Sequence, residues 1–479
     1  MSDQHSSSAS PDIAMRPSTA QSDSQTLAVG EKIGYAMGDS AFVLFWHTWS
    51  TFLLIFYTDV FHLSAAAVGA MFGITRLFDA VNDPFMGIVA DQTKSKYGRF
   101  RPWILRGLIP YMAFGVLLFT VPDWSPGAKL AYAYVTYIGA SLAYTVVNIP
   151  YGALMGVMTT RSRERTALAS YRFYGAYAAV IFVNLTLLRL VARLGGGDDA
   201  IGYQRTMIIY ALLSGALLIG VFLTTRERIQ PPADQTADVK ADLSLLLKNK
   251  PWLIVFAMGI LSLLWGTMRN SATLYYMKYH LGADDAAISY FLTAGTVAVL
   301  GGVAATGLAE RYLGGKKRAF ILLTVGASLA ACGFYFVPPR ALASAYAIHI
   351  ASQALTGPLM PLFWSMIAET ADYSEWKFGR RSTGLVFSAG TFSQKSGGAL
   401  GGAIAGVFLA WIGYEANAEQ SQQTVQGIRA MMSYVPALLA AAAVAVACLY
   451  PITPDVAQRM ETDLAARRKR ESHEEPREN

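Results

Sequence analysis

Arg76-Leu77-Phe78-Asp79-Ala80-Val81-Asn82-Asp83-Pro84 sets an arginine and two aspartates inside an apolar window running from about residue 64 to 90. About 20 apolar residues suffice for a helix to cross the hydrocarbon core of a bilayer, so the window reads as a membrane span. Charge at that depth is expensive and needs a reason. Asp79 and Asp83 are four residues apart and share one helical face. Two bare carboxylates there repel each other in low dielectric. One of them must be protonated, or something positive must sit between them. Arg76, one turn earlier, supplies part of that charge, and Na+ or a proton can supply the rest, with Asn82 as a further candidate for binding the cation. A permanent Arg–Asp pair is the structural alternative, but a second acid at this spacing exceeds what one arginine needs.

Working outward, similar windows recur along the chain. The first half gives roughly 34–60, 64–90, 103–121, 129–158, 166–193 and 204–225. The second gives roughly 252–279, 285–309, 317–338, 343–370, 383–412 and 428–450. The expected fold class is an all-α integral membrane protein of about twelve spans. The expected division is a disordered tail over 1–30, a six-helix bundle over 31–225 and a polar linker over 226–250, then a second bundle over 251–452 and a charged tail over 453–479 that forms a short helix with a frayed end. Of the 479 residues, 53% are hydrophobic and 15% charged. Soluble proteins carry about 25% charged residues, so much of the surface meets something other than water. Cys332 and Cys448 lie in apolar runs as small core residues and are too few for a disulfide framework.

The net charge of +7 does not mark a nucleic-acid binder, because the basic residues sit in short loops. Lys94, Lys96, Arg99 and Arg101 follow the second span, Arg161, Arg163 and Arg165 the fourth, Lys316, Lys317 and Arg318 the eighth, and Lys377, Arg380 and Arg381 the tenth. The alternate loops hold little beyond Lys129 and Arg340. The basic side is the cytoplasmic one. The expectation is a multi-pass protein of a bacterial-type inner membrane with both termini in the cytoplasm. The halves echo each other: Gly87-Ile-Val-Ala-Asp91 precedes a basic loop, as Gly307-Leu-Ala-Glu310-Arg311 does. Two parallel six-helix repeats are the architecture of the major facilitator superfamily.

Other polar residues interrupt the spans. Arg172 lies near the start of the fifth, where it could snorkel. Lys395 sits half-way along the eleventh, too deep to snorkel, and an ion pair with a second-span acid is its structural alternative. Arg269 and Asn270 in the seventh read equally as interface anchors or substrate contacts. Asp39 and His47 lie in the first span as candidate substrate contacts, the histidine more as a satisfied bundle residue than a proton carrier; Asn148 and Thr145 lie in the fourth. Sugars present flat C–H faces and a rim of hydroxyls, gripped by aromatic platforms and charged groups. Trp46, Trp49, Tyr144, Tyr171, Phe173 and Trp364 are the candidate platforms.

Several segments in one order carry a specific resemblance. They are Phe56-Tyr57-Thr58-Asp59-Val60, the Arg76–Pro84 stretch, Tyr97-Gly98-Arg99-Phe100-Arg101-Pro102-Trp103, Tyr144–Tyr151, Ala371-Asp372-Tyr373 and Lys395-Ser396-Gly397-Gly398. From about Glu31 to Tyr450 the chain resembles the glycoside–pentoside–hexuronide:cation symporters of the major facilitator superfamily. The resemblance implies that Asp79 and Asp83 bind the coupling cation with Thr145 nearby. It implies that Arg172 holds sugar hydroxyls, and that Lys395 and Thr391 face the cation site from the other bundle. Arg76 stands at a motif arginine beside the acids, for gating or charge balance. Where the family's best-known member has a sugar-binding acid in the first helix this chain has Val43, and a fourth-helix acid and tryptophan are replaced by Asn148 and Gly152. Asp39 is one turn from Val43 and need not substitute. The site is therefore more positive, and an acidic sugar or a pentoside is the expected substrate.

The expected mechanism is alternating access in a monomer, with no cofactor besides Na+ or H+ and with the bilayer as its solvent. Asn148 and Arg172 would contact sugar from one bundle, Lys395 and Trp364 from the other. Asp91, Arg161 and Arg381 would form cytoplasmic latches. A lysophospholipid carrier would need an apolar, laterally open cleft, and a non-transporting sensor a further soluble domain. An enzyme would need a metal cluster or nucleophile–base pair, and no plausible spacing provides one.

Overall fold

The computed structural model describes residues 27–159, 162–228, 246–379 and 383–474, with the backbone alone at some helical positions, Arg76, Asp79, Asp83 and Asp91 among them. The chain is helical throughout these ranges. The first half comprises α1 (Val29–Ile55), α2 (Ala65–Asp91), α3 (Arg101–Arg106), α4 (Leu108–Leu117), α5 (Pro126–Met158), α6 (Ser162–Gly195) and α7 (Asp199–Thr224). The second comprises α8 (Lys250–Tyr275), α9 (Asp285–Ala304), α10 (Thr306–Tyr312), α11 (Lys316–Cys332), α12 (Leu342–Thr356), α13 (Leu359–Phe378), α14 (Thr383–Trp411), α15 (Gln422–Met432) and α16 (Tyr434–Cys448), followed by α17 (Pro454–Glu474).

Eight helices among the described residues are long and apolar enough to cross a membrane. The other spans are interrupted or interspersed with polar residues. The third breaks at Gly107, between α3 and α4, and the tenth at Gly357-Pro358, between α12 and α13. Gly357 lets α12 touch α9: a Cβ there would lie 2.4 Å from the Val299 carbonyl oxygen, and Pro358 has no N–H to continue the ladder. The charged C-terminal segment forms α17, which docks on α13 through Trp376 Nε1 donating to Asp463 at 2.9 Å.

The internal repeat is visible in backbone detail. α1 and α8 each run into one π-helical turn, Phe56–Val60 and Tyr276–His280, and each turn is followed two residues later by a left-handed residue, His62 and Gly282, both with φ 62°. The halves meet along three seams, α1 on α8, α2 on α14 and α6 on α9. On the second seam small residues repeat every fourth position, Ala65, Gly69 and Gly73 facing Gly402 and Gly406. A Cβ at Gly406 would come within 2.6 Å of the Ala65 carbonyl oxygen, and one at Gly69 within 2.7 Å of that of Ala403. Such rows let two backbones approach closely within a bilayer.

Packing is unequal along the bundle axis. At the end away from the basic loops, one buried core runs through both halves, joining Phe52, Phe56 and Phe61 to Tyr275, Phe334 and Met432. At the basic end the second half has a core of its own, around Trp252, Phe320, Phe363 and Tyr450.

Candidate transport site

The seal at the far end is built on the two π turns. Asp59 is buried, yet its carboxylate accepts from Lys278 Nζ at 2.7 Å, the Tyr279 hydroxyl at 2.5 Å, the Tyr414 hydroxyl, and Thr58 Oγ1 at 2.8 Å. The Asn417 amide donates to its backbone carbonyl, and Thr58 Oγ1 lies 3.0 Å from the Tyr275 hydroxyl. All of these but the Thr58–Asp59 bond join one half to the other. A hollow of about 710 Å³, which Asp59, Lys278 and Asn417 help to line, lies at this end. Deeper on the same seams, Asn270 Nδ2 reaches the Ser50 carbonyl at 3.3 Å. His47 Nε2 lies 2.7 Å from Asn184 Oδ1, and Asn184 Nδ2 donates to Thr296 at 3.2 Å. His47 is thus a bundle histidine held by an amide.

Below the seal a cavity of about 440 Å³ lies between the halves, lined by Trp46, Trp49, Tyr137, Asn270, Thr391 and Lys395 among others. Its aromatic wall is packed: Trp46 and Trp49 lie 5.4 and 6.2 Å from the Tyr144 ring centroid. Trp49 Nε1 is buried without an acceptor, which suits a ligand hydroxyl. A narrow pocket of about 20 Å³ shares Trp46, Trp49 and Lys395 and adds Tyr144 and Thr145. The α2–α14 seam runs antiparallel, with Gly69 at Gly406 and Phe72 at Gly402. Counted on toward the basic end, that register would bring Asp79 level with Lys395 and Asp83 level with Thr391.

Other expected residues lie elsewhere. Arg172 is ion-paired with Asp39, Nε to Oδ2 at 2.5 Å and Nη2 to Oδ1 at 3.0 Å. Tyr151 donates to the same carboxylate at 2.7 Å, and the guanidinium lies 5.2 Å from the Tyr151 ring centroid. This polar knot joins α1, α5 and α6 and lines neither cavity just described. Asn148 and Trp364, both half-buried, line neither cavity, nor does Phe173, which is 61% exposed. Arg269 is buried at 5% exposure, which removes the interface-anchor reading. Arg76, Asp79, Asp83 and Asp91 have no described side chains, Asn82 is half-buried, and Arg161 and Arg381 lie outside the described residues. Tyr137 and the Asp59 cluster were not anticipated. Superposing the repeats would have exposed the cluster, because Thr58-Asp59 and Lys278-Tyr279 occupy equivalent positions in the two π turns.

A helical membrane protein whose halves close over a polar, aromatic-walled cavity at one end is a carrier by construction. The chain belongs to the MFS/sugar transport protein family, which it matches over residues 34–454. It is a cation:glycoside symporter of the major facilitator superfamily, a multi-pass inner-membrane protein and not an enzyme. It is 37% identical over 428 residues to the putative glycoside/cation symporter YagG of Escherichia coli, covering 89% of this chain and 93% of that one. It is 36% identical to the inner membrane symporter YicJ of the same organism (87% and 90% covered) and 34% identical to the isoprimeverose transporter of Lactiplantibacillus pentosus (98% and 97%). Among solved structures, a bacterial homologue of the human lysosomal transporter Spinster, inward-facing and unoccupied, superposes with a TM-score of 0.65 at 13% identity over 93% of this chain and 98% of that one. That likeness concerns the fold alone.

Proposed function

We propose that the coupling cation, Na+ or H+, binds at Asp79 and Asp83, and that the glycoside binds in the cavity walled by Trp46, Trp49 and Lys395. The observation that carries this is the α2–α14 register at Gly69–Gly406 and Phe72–Gly402, which, counted on along both helices, would bring the two acids level with Lys395 and Thr391, two residues that line that cavity. A bound cation removes the repulsion between the acids and with it the cost of bringing α14 against α2. Sugar then bridges the tryptophans of the first half and Lys395 of the second. Each ligand favours the other by linkage.

With the basic loops cytoplasmic, the Asp59 cluster is a periplasmic gate, shut in this conformation. Asp91, Arg161 and Arg381 would make the opposing latch when the protein faces outward, with Arg76 balancing charge beside the acids. Asn82 and Thr145 complete the cation site. The Asp39–Arg172 pair positions α1 against α6 around the sugar. The bundles span 31–225 and 251–452, and the monomer is the working unit.

The test is Asp83→Asn in proteoliposomes. It should insert and retain sugar exchange at equal concentrations, while cation-driven accumulation falls by about two orders of magnitude, the consequence of losing an interaction worth about 3 kcal/mol. Undiminished uphill accumulation would refute the assignment.

A further inference from the structure

A second cavity, of about 320 Å³, lies mostly in the second half, with His47 and Asn184 of the first half on its wall, and shares Leu263, Gly266, Asn270 and Gln394 with the aromatic one. One of the residues lining it is Arg269 of α8, only 5% exposed. An arginine cannot discharge itself by losing a proton, so a buried guanidinium needs compensating charge. This one has little. Nη2 donates to Gln353 Oε1 at 2.5 Å, a neutral acceptor, and Nη1 has no acceptor at all. The Trp265 ring centroid is 5.9 Å away, and no carboxylate among the described residues contacts it. Three other residues lining the same cavity carry buried polar atoms without partners, namely Ser262 Oγ, Trp265 Nε1 and His349 Nδ1. His349 is itself held flat against Phe291, ring centroids 3.8 Å apart.

A cluster of unsatisfied groups around one cavity is a site built for something absent. The uncompensated cation says what its charge is. A sugar hydroxyl could accept from Nη1 but would leave the positive charge buried, whereas a carboxylate answers charge and geometry together, because arginine takes it in two parallel hydrogen bonds. We infer that Arg269, with Gln353 and His349, forms an anion subsite that takes the carboxylate of a uronide whose sugar ring lies in the adjoining aromatic cavity. Asn270 and Gln394, on the shared wall, would contact the ring edge between them. This rests on the glycoside site proposed above and narrows its substrate to an acidic one.

The test uses the full chain in proteoliposomes and the matched probes methyl β-D-glucuronide and methyl β-D-glucoside. The wild type should favour the glucuronide in kcat/KM by about 30-fold or more, the range expected of a hydrogen-bonded charge pair. Arg269→Gln should collapse that ratio toward one, and Arg269→Lys should restore part of it. Gln353→Glu is an independent variant that sets a carboxylate of the protein's own against the guanidinium, and it should collapse the ratio as well. Variants are scored by the ratio, so a loss common to both probes counts against the proposal. Transport of the glucoside with a wild-type ratio near one, unmoved by Arg269→Gln, would overturn the anion subsite and leave symport standing. Accumulation of neither probe under Na+ or pH gradients would overturn both. Chloride that competes with the glucuronide only when Arg269 is present supports the subsite. Chloride that instead stimulates glucoside uptake through Arg269 would give the place to a free anion and overturn the substrate assignment.

Discussion

Asp59→Ala should unlatch the end of the bundle where the halves share one core. The carboxylate is 4% exposed and takes hydrogen bonds from three side chains of the other half, Lys278, Tyr279 and Tyr414. Truncating one partner of a buried, hydrogen-bonded charge pair typically costs about 2–5 kcal/mol. Lys278 is 40% exposed and can rehydrate, so the lower part of that range applies. About 3 kcal/mol against the sealed conformer multiplies the fraction open at this end by about 150, as long as that fraction stays small. The assay is labelling of a cysteine introduced by Gly266→Cys, in a background with Cys332→Ser and Cys448→Ser. Gly266 lines both central cavities, and a Cβ there meets nothing within 4 Å. An impermeant thiol reagent applied from the periplasmic face should react with Asp59→Ala about 30- to 150-fold faster than with the parent. Asp59→Asn should fall between. An unchanged rate in a folded, sugar-binding variant would refute the claim that this cluster holds the seal.

Gly406→Val should disfavour the same conformer by a different route. Its Cβ would sit 2.6 Å from the Ala65 carbonyl oxygen, and overpacking of this kind costs about 1–3 kcal/mol; faster periplasmic labelling at position 266 checks it, and slower labelling contradicts it. Arg172→Gln should lower detergent-solubilised stability by about 2 kcal/mol, because it leaves the half-buried Asp39 carboxylate with the Tyr151 hydroxyl but without its cation. The double variant Arg172→Met/Asp39→Asn should recover most of that in a thermal unfolding cycle. If instead Arg172→Gln leaves stability untouched and raises KM for every glycoside, the arginine belongs to the sugar.

The spans were legible because burial within a bilayer enforces long apolar windows, and Pro and Gly mark where they break. The position of Lys395 was legible, because its depth in the eleventh span argues against an interfacial role and it lines the cavity between the halves. Asp59 was not, although it stands in the Phe56–Val60 segment that carries part of the resemblance. Its meaning depends on Lys278 and Tyr414, more than 200 residues away, and single-span reading has no access to a contact across the pseudo-two-fold. Arg172 and Asp39 show the converse: each looked like a candidate for sugar, and together they satisfy one another. Arg269 was ambiguous because its depth depends on how α8 packs against α14 and α16 and on Gln353 of α12 reaching its guanidinium, which hydropathy does not encode.

The central claim is that a pair of acids in the second span ties sugar movement to a cation. Uptake of labelled glycoside into proteoliposomes under an imposed Na+ or pH gradient, with the membrane potential clamped, addresses it directly. Accumulation above the external concentration under one of the two gradients, collapsing when that gradient is dissipated, is the outcome this account requires. Equilibration that proceeds alike with and without either gradient would contradict it.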